Sequence, residues 1–351
     1  MREHKQVEKN SYRFELMAMV LSFMVVMIHS SYANFYTISE GVEIFLSEYY
    51  TDYISGFAVP CFFMLSAMKF YRNYDYSKTA EKLKKRVRSL LIPYLAWNVI
   101  SVLWAILLNT IPFLSKMISV RDRFTFTVEN FIGGIFWFKY IHAFWYMALL
   151  IVFTLLCPLI YTIIKNKQVG LVVVAALYFT DAVVEKFPAT AWPMFQIRTL
   201  VYCSAFYILG AWIGKYAFEK VCQEPEKKVR IPAILMFIMA VSVRAVTGNS
   251  RIVFIPAILL GGYALWLLVG TIKCSKSDIL YTSFFIYPAH TFVLPCVNKL
   301  LYLVFPDTNL MCILNTVLGT ILTYIICIIL ACIVKKYFPK CFWSILNGSR
   351  S

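Results

Sequence analysis

Residues 309–334 read NLMCILNTVLGTILTYIICIILACIV, and Lys335 and Lys336 follow at once. An uncharged run of this length exceeds the ~20 helical residues that cross a hydrocarbon core of ~30 Å. Comparable runs fall at about 14–34, 50–71, 89–109, 143–164, 169–186, 196–214, 231–247, 252–272 and 279–304. They are continuous and lack the alternation of ~10-residue strands that a membrane barrel needs. The reading is therefore all-α: a polytopic integral membrane bundle of about ten transmembrane helices. The fifth and seventh runs are short and carry charges.

Composition supports that reading and excludes others. Of 351 residues, 60% are apolar and 15% charged, with a mean hydropathy of +0.70. The length alone would accommodate two or three soluble domains, but soluble globules do not cover this much apolar surface with so few charges. An aromatic content of 17% is the reverse of a disordered chain. The net charge of +16 could suggest nucleic acid. Here the basic residues lie between apolar runs, so membrane lipid is the expected partner and nucleic acid is not.

The charge also sets an orientation. With a cytoplasmic N-terminus, the inside segments 1–13, 69–88, 165–168, 215–230, 273–278 and 335–351 hold 25 of the 34 Lys and Arg residues. The segment 35–50, then external, holds none. By the positive-inside rule both termini are expected in the cytoplasm. The domains expected are a cytoplasmic segment 1–13, a transmembrane domain 14–334 and a cytoplasmic tail 335–351. Ser31–Tyr32–Ala33 loosely fits a signal cleavage site, but the charged residues Glu3, Glu8 and Glu15 argue for a retained span. In 110–142, the aromatics and the Gly133–Gly134 pair suggest a segment at the interface or dipping into the bundle. The ten cysteines form no CxxC pair and read as packing residues; Cys296 and Cys312 flank one external loop, which would allow a disulfide that nothing else in the sequence supports. The spacing of the four histidines offers no metal motif.

Polar groups inside spans are costly and mark candidate sites. Glu15, Ser22 and His29 are seven apart and so share one face of the first helix. His29 suits a catalytic base, because an imidazole takes and returns a proton near neutrality; the alternative is an interfacial anchor. In SFFIYPAH, Ser283, Tyr287 and His290 share a face beside Pro288, which should kink the helix. They suit either a ligand site or a buried hydrogen bond between helices. The basic run containing Lys85, Arg86 and Arg88 precedes a helix and suits an anion site or a lipid anchor. Asp181, Arg198 and Arg244, if their helices are neighbours, are expected to form an ion-pair cluster, structural rather than an acceptor site.

The ordered set ELMAMVLSFMVVMIHS (15–30), GFAVPCFFMLSAMKF (56–70), KRVRSLLIPYLAW (85–97), HAFWYMALLIVFTLLCPLIY (142–161) and YTSFFIYPAH (281–290) resembles the membrane acyltransferase-3 family. That family moves acyl groups, usually acetyl, from acyl-coenzyme A to sugars of bacterial surface glycans or other exported acceptors. The resemblance implies His29 as the essential histidine, Glu15 as the acidic position before it, and Lys85, Arg86 and Arg88 as the coenzyme A phosphate motif. It also implies Ser66 as the serine of a Ser-Gly pair. The chain departs from the pattern at Ala18, where arginine is usual, at Ala67, and at Ala148–Leu149.

The resulting expectation is a bacterial cytoplasmic-membrane O-acyltransferase with acyl-CoA (acetyl-CoA) as donor substrate and no metal. A glycan or lipid-linked sugar would be the acceptor. The catalytic residues would be His29 and Glu15, with Lys85, Arg86 and Arg88 on the donor and Ser66, Tyr287 and His290 on substrate. Glu15 lies ~21 Å from His29 along the axis, so Tyr287 or His290 is left to orient the imidazole. The rival readings are a transporter or flippase of a glycan or lipid-linked intermediate, and an inactive homologue in a polysaccharide assembly complex.

Overall fold

A computed structural model describes residues 2–30, 36–111, 124–184, 196–248, 250–273 and 277–350, with side chains from residue 12 onward. Among these residues there are helices and no strand. The helices are α1 (Arg2–His29), α2 (Glu40–Ile44), α3 (Ala58–Tyr71), α4 (Thr79–Arg86), α5 (Ile92–Thr110), α6 (Val128–Phe136), α7 (Trp145–Leu155) and α8 (Cys157–Ile164). They continue as α9 (Lys167–Val184), α10 (Ile197–Tyr216), α11 (Arg230–Thr247), α12 (Arg251–Gly270), α13 (Ser283–Val304), α14 (Asn309–Tyr337) and α15 (Lys340–Asn347).

Among the described residues, eight helical stretches are long and apolar enough to cross a membrane, and the bent pair α7–α8 makes a ninth if it counts as one span. α9 occupies the place of the fifth expected span and is not among the eight. The fourth span is not one rod: it bends by 68° between Leu155 and Cys157. Pro158 explains the break, because it lacks the N–H that would donate to Thr154. The second span begins earlier than expected, since α2 passes directly into wide i→i+5 turns over Phe45–Ile54. α13, by contrast, runs unbroken through Pro288 and Pro295. Ser31, Tyr32 and Ala33 lie outside the described residues.

Large apolar side chains are exposed all round the bundle, Leu103, Leu155, Ile231, Val246 and Val304 among them. A soluble protein rarely leaves so many open to water, whereas a lipid-facing belt requires them. α6 exposes Val128, Ile132 and Phe136 while Gly134 packs on Val102 and Tyr140. That arrangement fits the interfacial segment anticipated between the third and fourth spans.

Inside, α1 packs on α3, α12, α13 and α14. α1 and α13 run parallel: Met19 meets Thr282, and His29, ten residues further along α1, meets His290, eight residues beyond Thr282. α14 turns a polar stripe inward, where Thr320 donates to Ser30 at 2.7 Å and Tyr324 to the Met19 carbonyl at 2.8 Å. Hydroxyl bonds of this kind join helices where the surrounding lipid supplies no hydrophobic drive. α3 and α10 approach most closely, because a Cβ on Gly210 or Gly214 would lie 2.4 or 2.5 Å from the carbonyl oxygens of Met64 or Met68. The small-xxx-small spacing of Gly210 and Gly214 makes that approach feasible.

The buried cations are braces. Arg13 donates to the Trp266 carbonyl at 2.7 Å and to Gln223 at 3.0 Å, with its guanidinium 4.0 Å over the Trp266 ring. Arg244 donates to the carbonyls of Asp52 and Tyr53. Asp181 faces Arg251 at 3.8 Å, so the expected cluster draws its near cation from Arg251 rather than Arg198. The described cysteines, Cys296 and Cys312 included, are free.

Candidate functional site

A cavity of about 330 Å³ opens where α1, α3, α7, α13, the α4–α5 junction and the segment after α15 converge. Four of the residues expected in the site line it: Glu15, Ser66, Arg86 and Tyr287. Ser283 lines it too, as its shared face with Tyr287 implies.

Arg86 reaches this wall because α4 packs on α7 and ends in wide turns over Val87–Leu91. Its Nη2 donates to the Ser66 carbonyl at 3.3 Å, and its guanidinium carbon lies 5.3 Å from the Phe70 ring centre. Ser89, one turn on, shares the wall. Lys85 and Arg88 do not reach it. Both are exposed, and Lys85 pairs with Glu81 on the helix surface. Neighbours at one and two positions along a helix point to other faces, so Lys85 and Arg88 do not join Arg86 at this wall.

Glu15 is held by Lys69, 2.9 Å away on α3. Lys69 also lines the cavity and was missed in the sequence, although it stands three residues from Ser66 on the same helical face. Ala18 lines the cavity as well, so the α1 wall carries no cation where the resembling family has arginine. Tyr146 and Arg350 complete the polar lining.

The two histidines lie beyond the inner wall. Tyr287 packs on Phe144 at 5.7 Å and on Tyr146 at 5.9 Å between ring centres, and its hydroxyl donates to the Ala143 carbonyl. One turn further along α13, His290 stacks on His29 with ring centres 5.3 Å apart and planes at 27°. His290 is fully buried. Its Nδ1 lies 3.4 Å from the Ile286 carbonyl, which favours the proton on Nδ1, and its Nε2 has no hydrogen-bond partner among the described residues. His29 is exposed. The pair thus couples an accessible imidazole to a buried, fixed one.

Glu15 and Lys69 neutralise each other, and among the described residues no carboxylate pairs with Arg86 or Arg350. The cavity is therefore cationic and suited to an anion. Among the described residues no group of three His, Cys, Asp or Glu side chains could hold a metal ion.

A family model described as an acyltransferase domain matches residues 12–332, which covers α1 through nearly all of α14. No curated protein and no solved structure matches the chain.

Proposed function

This chain belongs to the acyltransferase-3 family, and on that premise we propose that it is an O-acyltransferase of the bacterial cytoplasmic membrane. It moves an acyl group, acetyl in the simplest case, from cytoplasmic acyl-CoA to a hydroxyl of an extracytoplasmic or lipid-linked glycan. The observation that carries this reading is the stacked His29–His290 pair, set one helical turn beyond the inner wall of a cationic cavity.

The positive-inside bias puts the Arg86 end of the bundle in the cytoplasm, where acyl-CoA is made. Arg86 holds phosphate there, and the thioester arm runs past Ser66 and Tyr287 toward the histidines. The acceptor hydroxyl approaches His29 from the opposite, exposed side. Its oxygen attacks the thioester carbonyl while His29 takes its proton; the carbon–sulfur bond breaks, and the coenzyme A thiolate leaves and is protonated. His290 positions the His29 ring by stacking. Glu15 acts by fixing Lys69 at the cavity wall, since no proton can pass directly between groups ~21 Å apart.

The test is His29→Ala with labelled acetyl-CoA in membranes. Acyl transfer to surface glycan should vanish while insertion of the protein is retained; unchanged acetylation would sink the mechanism. The transporter reading draws support from the break between α7 and α8, because interrupted helices line the sites of many transporters. Label that reaches an oligosaccharide, or the protein itself, excludes it. Saturable coenzyme A binding without turnover would instead assign the chain to an inactive homologue.

A further inference from the structure

Arg350 lies eighteen residues beyond the segment that the family model matches, yet it forms part of the cavity wall. The chain is built to put it there. α15 is pinned by Trp97, whose indole donates to the Leu346 carbonyl at 3.0 Å, and by Trp343 stacked on Phe285 at 5.7 Å. Asn347 donates to the Tyr281 carbonyl at 2.9 Å. Two residues with positive φ, Gly348 at 65° and Ser349 at 56°, then turn the backbone inward. A Cβ on Gly348 would lie 2.4 Å from Arg350 Nη1 and 2.6 Å from the Ser89 carbonyl oxygen, so only glycine admits the arginine.

The guanidinium stacks 3.8 Å over the Phe284 ring. Its Nη1 donates to the carbonyls of Ser89 at 3.3 Å and Asn347 at 3.1 Å. Nε and Nη2 make no hydrogen bond to the described residues. Burial first, and the charge of Arg86 second, bring the Arg350 pKa down to about 10, so it stays charged at neutral pH. Two guanidiniums and Lys69 thus face one cavity whose single carboxylate, Glu15, pairs directly with Lys69 and also partly offsets the Arg350 charge. Like charges are held together at a cost that an anionic ligand would relieve.

We propose that Arg350 and Arg86 form a two-sided clamp for a phosphate group of the acyl donor, with Arg350 supplied from outside the matched domain. This rests on the acyl-CoA reading. The fork geometry of two guanidiniums suits a phosphate or pyrophosphate better than a carboxylate of a single charge.

The experiment measures binding of coenzyme A and of phosphate-free pantetheine to the full chain in detergent, for wild type, R86Q, R350Q and R350K. R350Q should weaken coenzyme A by ~10-fold or more, as loss of a charge-assisted contact does, and leave pantetheine unchanged. R350K should recover part of the loss. Full coenzyme A affinity in R350Q alongside a loss in R86Q overturns the clamp and leaves the acyl-CoA reading standing. An equal loss for pantetheine overturns it as well, by assigning Arg350 to the shape of the wall. A wild-type protein that binds no coenzyme A overturns both readings. Repeating the titration with phosphatidylglycerol vesicles separates the other phosphate source: competition by that lipid in wild type but not in R350Q would make the site a headgroup site and overturn the clamp.

Discussion

Glu15 and His29 share a face of α1 but meet different helices: Glu15 pairs with Lys69 on α3, and His29 stacks on His290 of α13. Their roles should separate in the same way. Glu15→Gln should lower the initial rate of acyl transfer by less than ~10-fold, because it disturbs only a partly exposed pair, whereas His29→Ala should cost on the order of 10²–10⁴-fold. Comparable losses in the two variants would return Glu15 to the chemistry. His290→Gln tests positioning. It should reduce kcat by about 10²-fold, the scale of a misplaced reacting group, with KM for acetyl-CoA unchanged; a rise in KM alone would place His290 in donor binding instead. At this scale a candidate was legible wherever a polar group interrupted an apolar run, as at His29, Tyr287 and His290. None was legible at Lys69, which reads as one more basic residue at the end of a span. Nor was it legible that Lys85 and Arg88 stand exposed, away from the cavity that Arg86 lines, since a run of cations in sequence disperses around a helix.

Helix contacts depend on side chains that are absent as much as on those present. The face of α10 carrying Gly210 and Gly214 lies directly on the backbone of α3, and α3 carries Ser66 and Lys69 into the cavity. Gly210→Val should therefore drive the two helices apart and destabilise the protein by about 1–3 kcal/mol, as overpacking does. The change should appear as a lower Tm in detergent and a parallel loss of coenzyme A binding. Gly41→Ala is the control, since nothing lies within 4 Å of its added carbon; it should hold or raise Tm. Unaltered stability in Gly210→Val would contradict the close α3–α10 contact. Most helix positions were readable from hydropathy: α5, α9, α10, α11, α12 and α14 fall within a few residues of the expected runs. The break at Pro158 was not, because the apolar run continues across it and proline is tolerated in membrane helices when neighbours satisfy the freed backbone. Pro288 and Pro295 show the other outcome within a single continuous α13.

For the molecule as a whole, the prediction concerns orientation. In proteins keeping one cysteine at a time, a membrane-impermeant thiol reagent should label Glu43→Cys in intact cells. It should reach the exposed Cys341 only after permeabilisation. The reverse pattern would invert the topology and place the Arg86 cavity on the wrong side for a cytoplasmic donor. Hydropathy was enough to make this an all-helical membrane bundle, since hydrocarbon admits long apolar helices and repels charge independently of how helices pack. The ordered motifs were likewise sufficient to suggest the family, which the match over residues 12–332 shows. Which polar residues meet was decided only in three dimensions. His29 and His290 are 261 positions apart in the sequence and touch because α1 and α13 run parallel. Arg350 enters the cavity that Arg86 lines because α15 is anchored on Trp97 and Phe285 and two left-handed residues turn the chain inward. Neither meeting has a local signature, because each is set by the packing of elements remote in the chain and not by the propensity of any one of them.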